Sequence, residues 1–309
     1  MDVDPEAAAY YRGLPGDLGD RLRQVLVDTE DATIMEIEAG RCPMWRQDGL
    51  CRIQAELGHD ALCKTCREFP RLRHEYGTFA ELDLELSCPE AARLMLSDAS
   101  DAPCTREVPG DEAADYDIAC MQILLESRAQ ALEFLRGETY ELPQSLAILL
   151  LYAHSVQAQL DGGEGENLDP AACLADAQRY AAQGDLEAIL AFFRELEILT
   201  PAWAQRLQMP AQTVTWDARL GRVAAYMIRR YWLQAVSDYD LICRVKLIVT
   251  ACLLIGALGG DLLQTAQQFS KEIENDPDNI EAILDGAYTA PALTDINLLS
   301  LLLTENDAP

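Results

Sequence analysis

The sequence is short of positive charge. Lysine and arginine number 24 against 52 aspartates and glutamates, a formal charge of −28 over 309 residues. An excess of that size repels phosphate backbones and anionic bilayers, which excludes nucleic acid and membranes as partners; a basic or lysine-bearing protein surface is attracted instead. The commoner consequence of such a surplus is simply an acidic, solvated exterior. Long apolar runs are lacking as well. The longest, Leu247 to Leu258, follows Lys246 and is too short to span a bilayer. The opening residues, MDVDPEAAAYY, are acidic and contain no apolar stretch of the secretory kind. The expectation is a soluble, cytoplasmic protein, in which thiols stay reduced or bind metal.

Two further scarcities limit the chemistry. The three histidines form no defensible nucleophile arrangement. His59 lies beside a cysteine-rich stretch, in a segment that reads as a loop; His74 reads as exposed and His154 as structural. No catalytic residue is therefore assigned. A glycine-rich turn after a first strand is also missing, which argues against a Rossmann-type nucleotide site. Gly256-Ala-Leu-Gly259-Gly260 reads as the stop of an apolar helix.

Cysteine, by contrast, is plentiful, at ten residues. Cys42, Cys51, Cys63, Cys66 and Cys88 crowd one region in Cys-x8-Cys-x11-Cys-x2-Cys-x21-Cys spacing. Cys63 and Cys66 are three apart, so on a short helix capped by Asp60 they share one face and make a half-site for zinc or iron–sulfur. Cys42 and Cys51 flank the Asp48-Gly49 turn, and a hairpin there brings them together. Cys88 precedes Pro89-Glu90 at a predicted helix start, where a thiolate is favoured. The spacing is not that of a zinc ribbon, which pairs CxxC with CxxC, nor the CxxxCxxC of radical enzymes. The competing reading is that such cysteines are small buried hydrophobes; the density and the CxxC pair favour metal. Cys120, Cys173, Cys243 and Cys252 lie among Ile, Leu and Ala and read as core, and Cys104 as part of a polar connection.

The pattern along the chain predicts a mainly α protein: a cysteine-rich metal-binding module with short strands over 1–98, then a multi-helix domain over 99–309. Asp4-Pro5-Glu6 starts a helix ending at Gly13, a second covers 18–27, and strands fall near 33–37 and 79–86. Helices follow at 90–97, 116–135, 143–160, 170–182, 184–198, 213–236, 239–258, 260–274, 279–287 and 293–303. Glu272, Glu274, Asp276 and Asp278 read as a solvated helix end with the alternative of meeting a basic substrate or a cation. Tyr226, Tyr231, Trp232 and Tyr239 read as packing, with an aromatic lysine channel as the alternative. Arg67, Arg71 and Arg73 form a small basic island, most simply paired with local acids.

The segments Cys42-Pro-Met-Trp, Asp48-Gly-Leu-Cys51, Leu62-Cys63-Lys-Thr-Cys66-Arg-Glu-Phe-Pro-Arg71 and Ser87-Cys88-Pro-Glu-Ala-Ala-Arg93 together resemble the flagellin lysine-N-methylase (FliB-type) family. The resemblance is strong over 42–96 and weak over the helices. It implies N-methylation of lysine side chains on flagellin with S-adenosyl-L-methionine as donor. It also implies a cysteine-bound centre, taken to be iron–sulfur with zinc as the alternative, with Cys42, Cys51, Cys63, Cys66 and Cys88 matching motif cysteines. The family pattern carries a further N-terminal CxxxCxxxCC cluster that this sequence does not show. Two alternatives stand beside the enzyme: a non-enzymatic protein whose metal is a structural staple, and a truncated, inactive member of the family.

Overall fold

The computed structural model describes the chain apart from residues 31, 39–40, 97–104, 111, 138, 165–167, 181–183, 211–212 and 304–309. It is mainly helical with two small antiparallel sheets, and it divides into two compact units, Met1–Leu72 and Arg73–Pro309. The junction expected at 98–99 lies outside the described residues, as does Cys104.

In the first unit, β1 (Asp2–Val3) leads into α1 (Pro5–Gly13) and α2 (Gly16–Val25). Asp4 caps α1 by accepting from Ala7 N at 3.0 Å, with Pro5 in the first turn, as the sequence suggests. The chain leaves α2 extended, so 26–28 is not helix but β2 (Leu26–Asp28). Together with β3 (Thr33–Met35) it forms a sheet in the order β1-β3-β2. A tight hairpin follows, its register fixed by Arg46 N to Leu50 O at 2.9 Å and Arg52 N to Met44 O at 2.7 Å. Gly49 sits in it at φ 83°, a conformation that favours glycine. Two short helices, α3 (Arg52–Leu57) and α4 (Lys64–Glu68), are separated by a 3₁₀ turn at His59–Ala61. The core beneath them is small, built from Tyr11, Leu18, Leu22, Met35, Met44 and Ile53 with a few neighbours.

The second unit begins within β4 (Arg71–Tyr76), which joins β5 (Phe79–Leu84) and β6 (Arg106–Pro109) in a sheet of that order. On β5 the acidic side chains turn inward along with Ala80. Glu81 and Asp83 are 3% and 4% exposed; Glu81 forms a two-pronged pair with Arg128, at 2.6 and 2.8 Å. Asp83 accepts from Thr105 Oγ1 at 3.0 Å, and burial raises its pKa. His74 on β4 is likewise not exposed: its Nε2 is buried, and burial lowers its pKa.

Helices α5 (Pro89–Leu96), α6 (Ile118–Arg136), α7 (Leu142–Leu160), α8 (Pro170–Tyr180) and α9 (Leu186–Arg194) follow close to the predicted spans. Side-chain caps explain their starts: Asp117 for α6, the Glu141/Gln144 box for α7 and Asp185 for α9. The short α10 (Pro201–Leu207), capped by Thr200, was not expected. The span predicted at 213–236 is helical only as α11 (Leu220–Tyr231) with a 3₁₀ extension to Val236. Next, α12 (Ile242–Leu258) is buried on every side from Cys243 to Leu258, so it forms the centre around which the others pack. It ends at Gly259, φ 60°. Among the described residues no helix is long and apolar enough to cross a membrane. The chain closes with α13 (Leu262–Phe269), a π-helical turn at Ser270–Glu274, α14 (Pro277–Thr289) and α15 (Asp295–Leu303).

That π turn overturns the expectation of a solvated acidic end. Glu272 is fully buried and accepts from Leu199 N at 2.9 Å and Thr200 N at 3.2 Å. Glu274 accepts from Tyr231 Oη at 3.0 Å and lies 3.5 Å from Arg230, whose guanidinium donates to Tyr226 Oη at 2.6 Å. A turn widened by one residue swings these carboxylates inward, where each finds the donors that burial demands. Tyr226, Tyr231 and Trp232 are core residues, and Tyr239 is exposed.

Candidate metal centre

Four of the five singled-out cysteines lie in the first unit and border its small core. The sequence brings them there by three local devices. The Gly49 hairpin bridges Trp45 to Cys51, and Cys42 precedes it, its carbonyl accepting from Trp45 N at 3.0 Å. Cys51 is then the N-cap residue of α3. Cys63 is the N-cap of α4, and Cys66 lies in that helix's first turn. Cys63 is buried; Cys42, Cys51 and Cys66 are half-buried against the same apolar cluster.

The cap is not Asp60, which is solvent-exposed. It is Asp4, sixty residues upstream. Its carboxylate accepts from Ala7 N and, at 2.6 Å, from Lys64 N, and these bonds hold it below the ordinary carboxylate range. One side chain thus ties the start of α1 to the start of α4 and fixes the cysteine pair. Tyr11, fully buried, supports the same place by donating to Ala61 O at 2.7 Å. Nothing local in the sequence marks Asp4 for this second role.

The thiols act on one another electrostatically. Cys66 donates to the Cys63 sulfur, and this bond, aided by backbone N–H groups of the first turn against burial, pulls Cys63 down to about 6. The same bond pushes Cys66 up, with burial and the nearby charges of Cys63, Cys42 and Cys51 adding to it. Cys42 is raised by burial, and also by charge on Cys51 and Cys63. Two thioethers complete a sulfur-rich wall: Met35 Sδ lies 3.8 Å from Cys42 Sγ and Met1 Sδ 3.5 Å from Cys66 Sγ. Thiols elsewhere behave differently. Burial alone pushes Cys252 up to about 12, and chiefly burial does the same to Cys243. They are inert core residues, as is buried Cys120; Cys173 is half-buried.

Cys88 belongs to the second unit. It precedes α5, receives Ala92 N on its carbonyl at 2.9 Å, and packs half-buried against the helical core. The sulfurs of the first unit are gathered loosely. Among the described residues the one trio of potential ligand atoms within 4.8 Å of one another is Glu197, Asp276 and Asp278, not a set of cysteines. What the first unit offers is four soft donors at its small apolar core, one of them, Cys63, with its pKa lowered by its neighbour. Such a donor set suits zinc, copper(I) or iron–sulfur rather than magnesium or calcium. A cavity of about 310 Å³ opens beside Cys42, lined by Arg41, Trp45 and Arg46 among others, with the Arg41 guanidinium 5.6 Å from the Trp45 ring centre.

No family model and no solved structure matches the chain. Three curated proteins do, each over the same length of 59 residues and at 44% identity, which is 19% of this chain. One is the flagellar biosynthetic protein FliU of Salmonella muenchen, of which the match spans 35%. The others are lysine-N-methylases of Salmonella typhimurium and Salmonella choleraesuis, of which it spans 15%. The chain therefore carries a segment similar to part of the lysine-N-methylases and of a flagellar biosynthetic protein.

Proposed function

We propose that this chain serves N-methylation of lysine side chains on flagellin or another lysine-bearing protein, with S-adenosyl-L-methionine as methyl donor and an iron–sulfur centre held by Cys42, Cys51, Cys63 and Cys66. The observation that carries the metal reading is the meeting of these four thiols in one small unit. The methylase reading draws on the names of the relatives and on the acidic charge of −28, which favours a lysine-rich partner. Cys88 is left out of the ligand set, since it packs against the helical core of the other unit.

Four thiols suit either a tetrahedral zinc ion or a four-iron cluster with one thiolate per iron; the cluster is preferred because the resemblance to the methylase family implies it. When bound, such a centre supplies one-electron chemistry; the chain's own part is to present thiolates, keep the core dry and hold the sulfurs through Asp4 and the hairpin. The test is a methylation assay: anaerobically purified chain, flagellin and methyl-labelled donor. Label on flagellin lysines, absent without the chain, supports the reading. No transfer by a fully loaded chain contradicts it.

One observation favours a second reading, in which the metal is a staple. The core of the first unit is small for 72 residues, and units of that size commonly need a cross-link.

A further inference from the structure

In the second unit, one face of α6 and one face of α7 enclose a cavity of about 440 Å³, within the range of small-ligand sites. Phe134 and Tyr152 form its aromatic wall, their rings edge to face at 5.2 Å, with the Trp232 ring stacked behind Tyr152 at 6.5 Å. Ser127 seals the floor: its hydroxyl accepts from Trp232 Nε1 at 3.0 Å and donates to Leu124 O. Glu126 stands at the solvent side, and no Lys or Arg is among the described residues that line the cavity. The carboxylate's partner among the described residues is the Gln122 amide at 3.0 Å, not a cation. Its charge reaches inside, because after burial it is what raises the Tyr152 hydroxyl.

We propose that this cavity receives the side chain of a lysine from a partner protein, its aliphatic stem against Phe134 and Tyr152 and its ammonium at Glu126. The chemistry matches part by part. Aromatic faces attract an ammonium and also accept methylenes. A carboxylate at the rim, with no cationic partner among the described residues, supplies the counter-charge. A chain of net charge −28 draws a basic surface toward it. The proposal gives the methylase reading a place for its substrate and rests on that reading only for the identity of the partner.

Binding is separable from turnover. Nα-acetyl-lysine amide and its uncharged isostere Nα-acetyl-norleucine amide are titrated into the full chain, without methyl donor, by NMR or calorimetry. Lysine amide is expected to bind and the norleucine compound to bind at least about tenfold more weakly. Glu126→Gln and Tyr152→Leu each weaken the lysine amide about three- to tenfold. Glu133→Gln, an exposed acid further along α6, does not; circular dichroism confirms that the variants fold. Equal binding of the two amides, no binding, or binding unchanged in Glu126→Gln overturns the proposal. If lysine amide binds as expected but no label reaches flagellin, the cavity stands and the methylase reading falls. If label transfer continues undiminished in both cavity variants, the methylase reading stands and the cavity falls.

Discussion

The two units solve the same problem with different materials. The second buries a long helix on all sides and surrounds it with others; α12 alone contributes an unbroken buried run from Cys243 to Leu258. Apolar burial at about 25 cal/mol per Å² makes such a core self-sufficient. The first unit has short helices, strands of two and three residues, and a modest apolar cluster into which thiols intrude. Cysteine chemistry divides along the same line. Cys243 and Cys252, pushed up to about 12, fill space in the helical core. Cys63, pulled down to about 6, is a thiolate held in place by its neighbour. The same residue type is thus packing in one unit and the proposed metal donor in the other, in different surroundings.

The contrast is broken most severely by removing the donors. Cys63→Ser is expected to unfold the first unit, since structural metal sites contribute on the order of 10 kcal/mol, while the helices of the second persist. Limited proteolysis should then cut within residues 1–72 and leave the helical unit intact, with most of the far-ultraviolet circular dichroism preserved. A next, smaller effect falls on the second unit alone. Glu81→Ala strands the nearly buried Arg128 without its partner, which costs about 3–5 kcal/mol; the melting transition of the helical unit should drop while metal content stays unchanged.

Smallest is Asp4→Ala, which removes one cap shared by α1 and α4 and costs about 1 kcal/mol at neutral pH. Its carboxyl is held below its ordinary value of 3.8, so its contribution is complete above that value and is lost as pH falls through the lower folded one. Variant and parent should therefore differ in melting temperature at pH 7 and converge in acid below pH about 4.

The helices of the second unit were legible because their apolar period is local; the caps the structure shows, at Asp117, Glu141 with Gln144, Asp185 and Asp276, are local too. What escaped the reading depended on partners distant in the chain. Glu81 and Asp83 alternate with Ala80, Leu82 and Leu84 as an exposed polar face should, yet Arg128 and Thr105 make their burial affordable. Glu272 and Glu274 sit among acids near a proline, as at a solvated end, until Thr200, Tyr231 and Arg230 supply donors. In the cysteine region the hairpin and the CxxC pair were local, and so visible. The true cap of α4 was not, because Asp4 is sixty residues away while Asp60 stands nearby in sequence. Cys88 falls in the second unit and the other four in the first, a division that spacing alone does not reveal.

The proposed iron–sulfur centre is held by the four thiols of the first unit, without Cys88. Iron and acid-labile sulfide analysis with an absorption spectrum, on anaerobically purified wild type, Cys88→Ser and Cys51→Ser, tests it most directly. The account predicts about four irons and four sulfides per chain in the wild type and in Cys88→Ser, and their loss in Cys51→Ser. Zinc in place of iron, a colourless metal-free wild type, or loss of the centre in Cys88→Ser would contradict it.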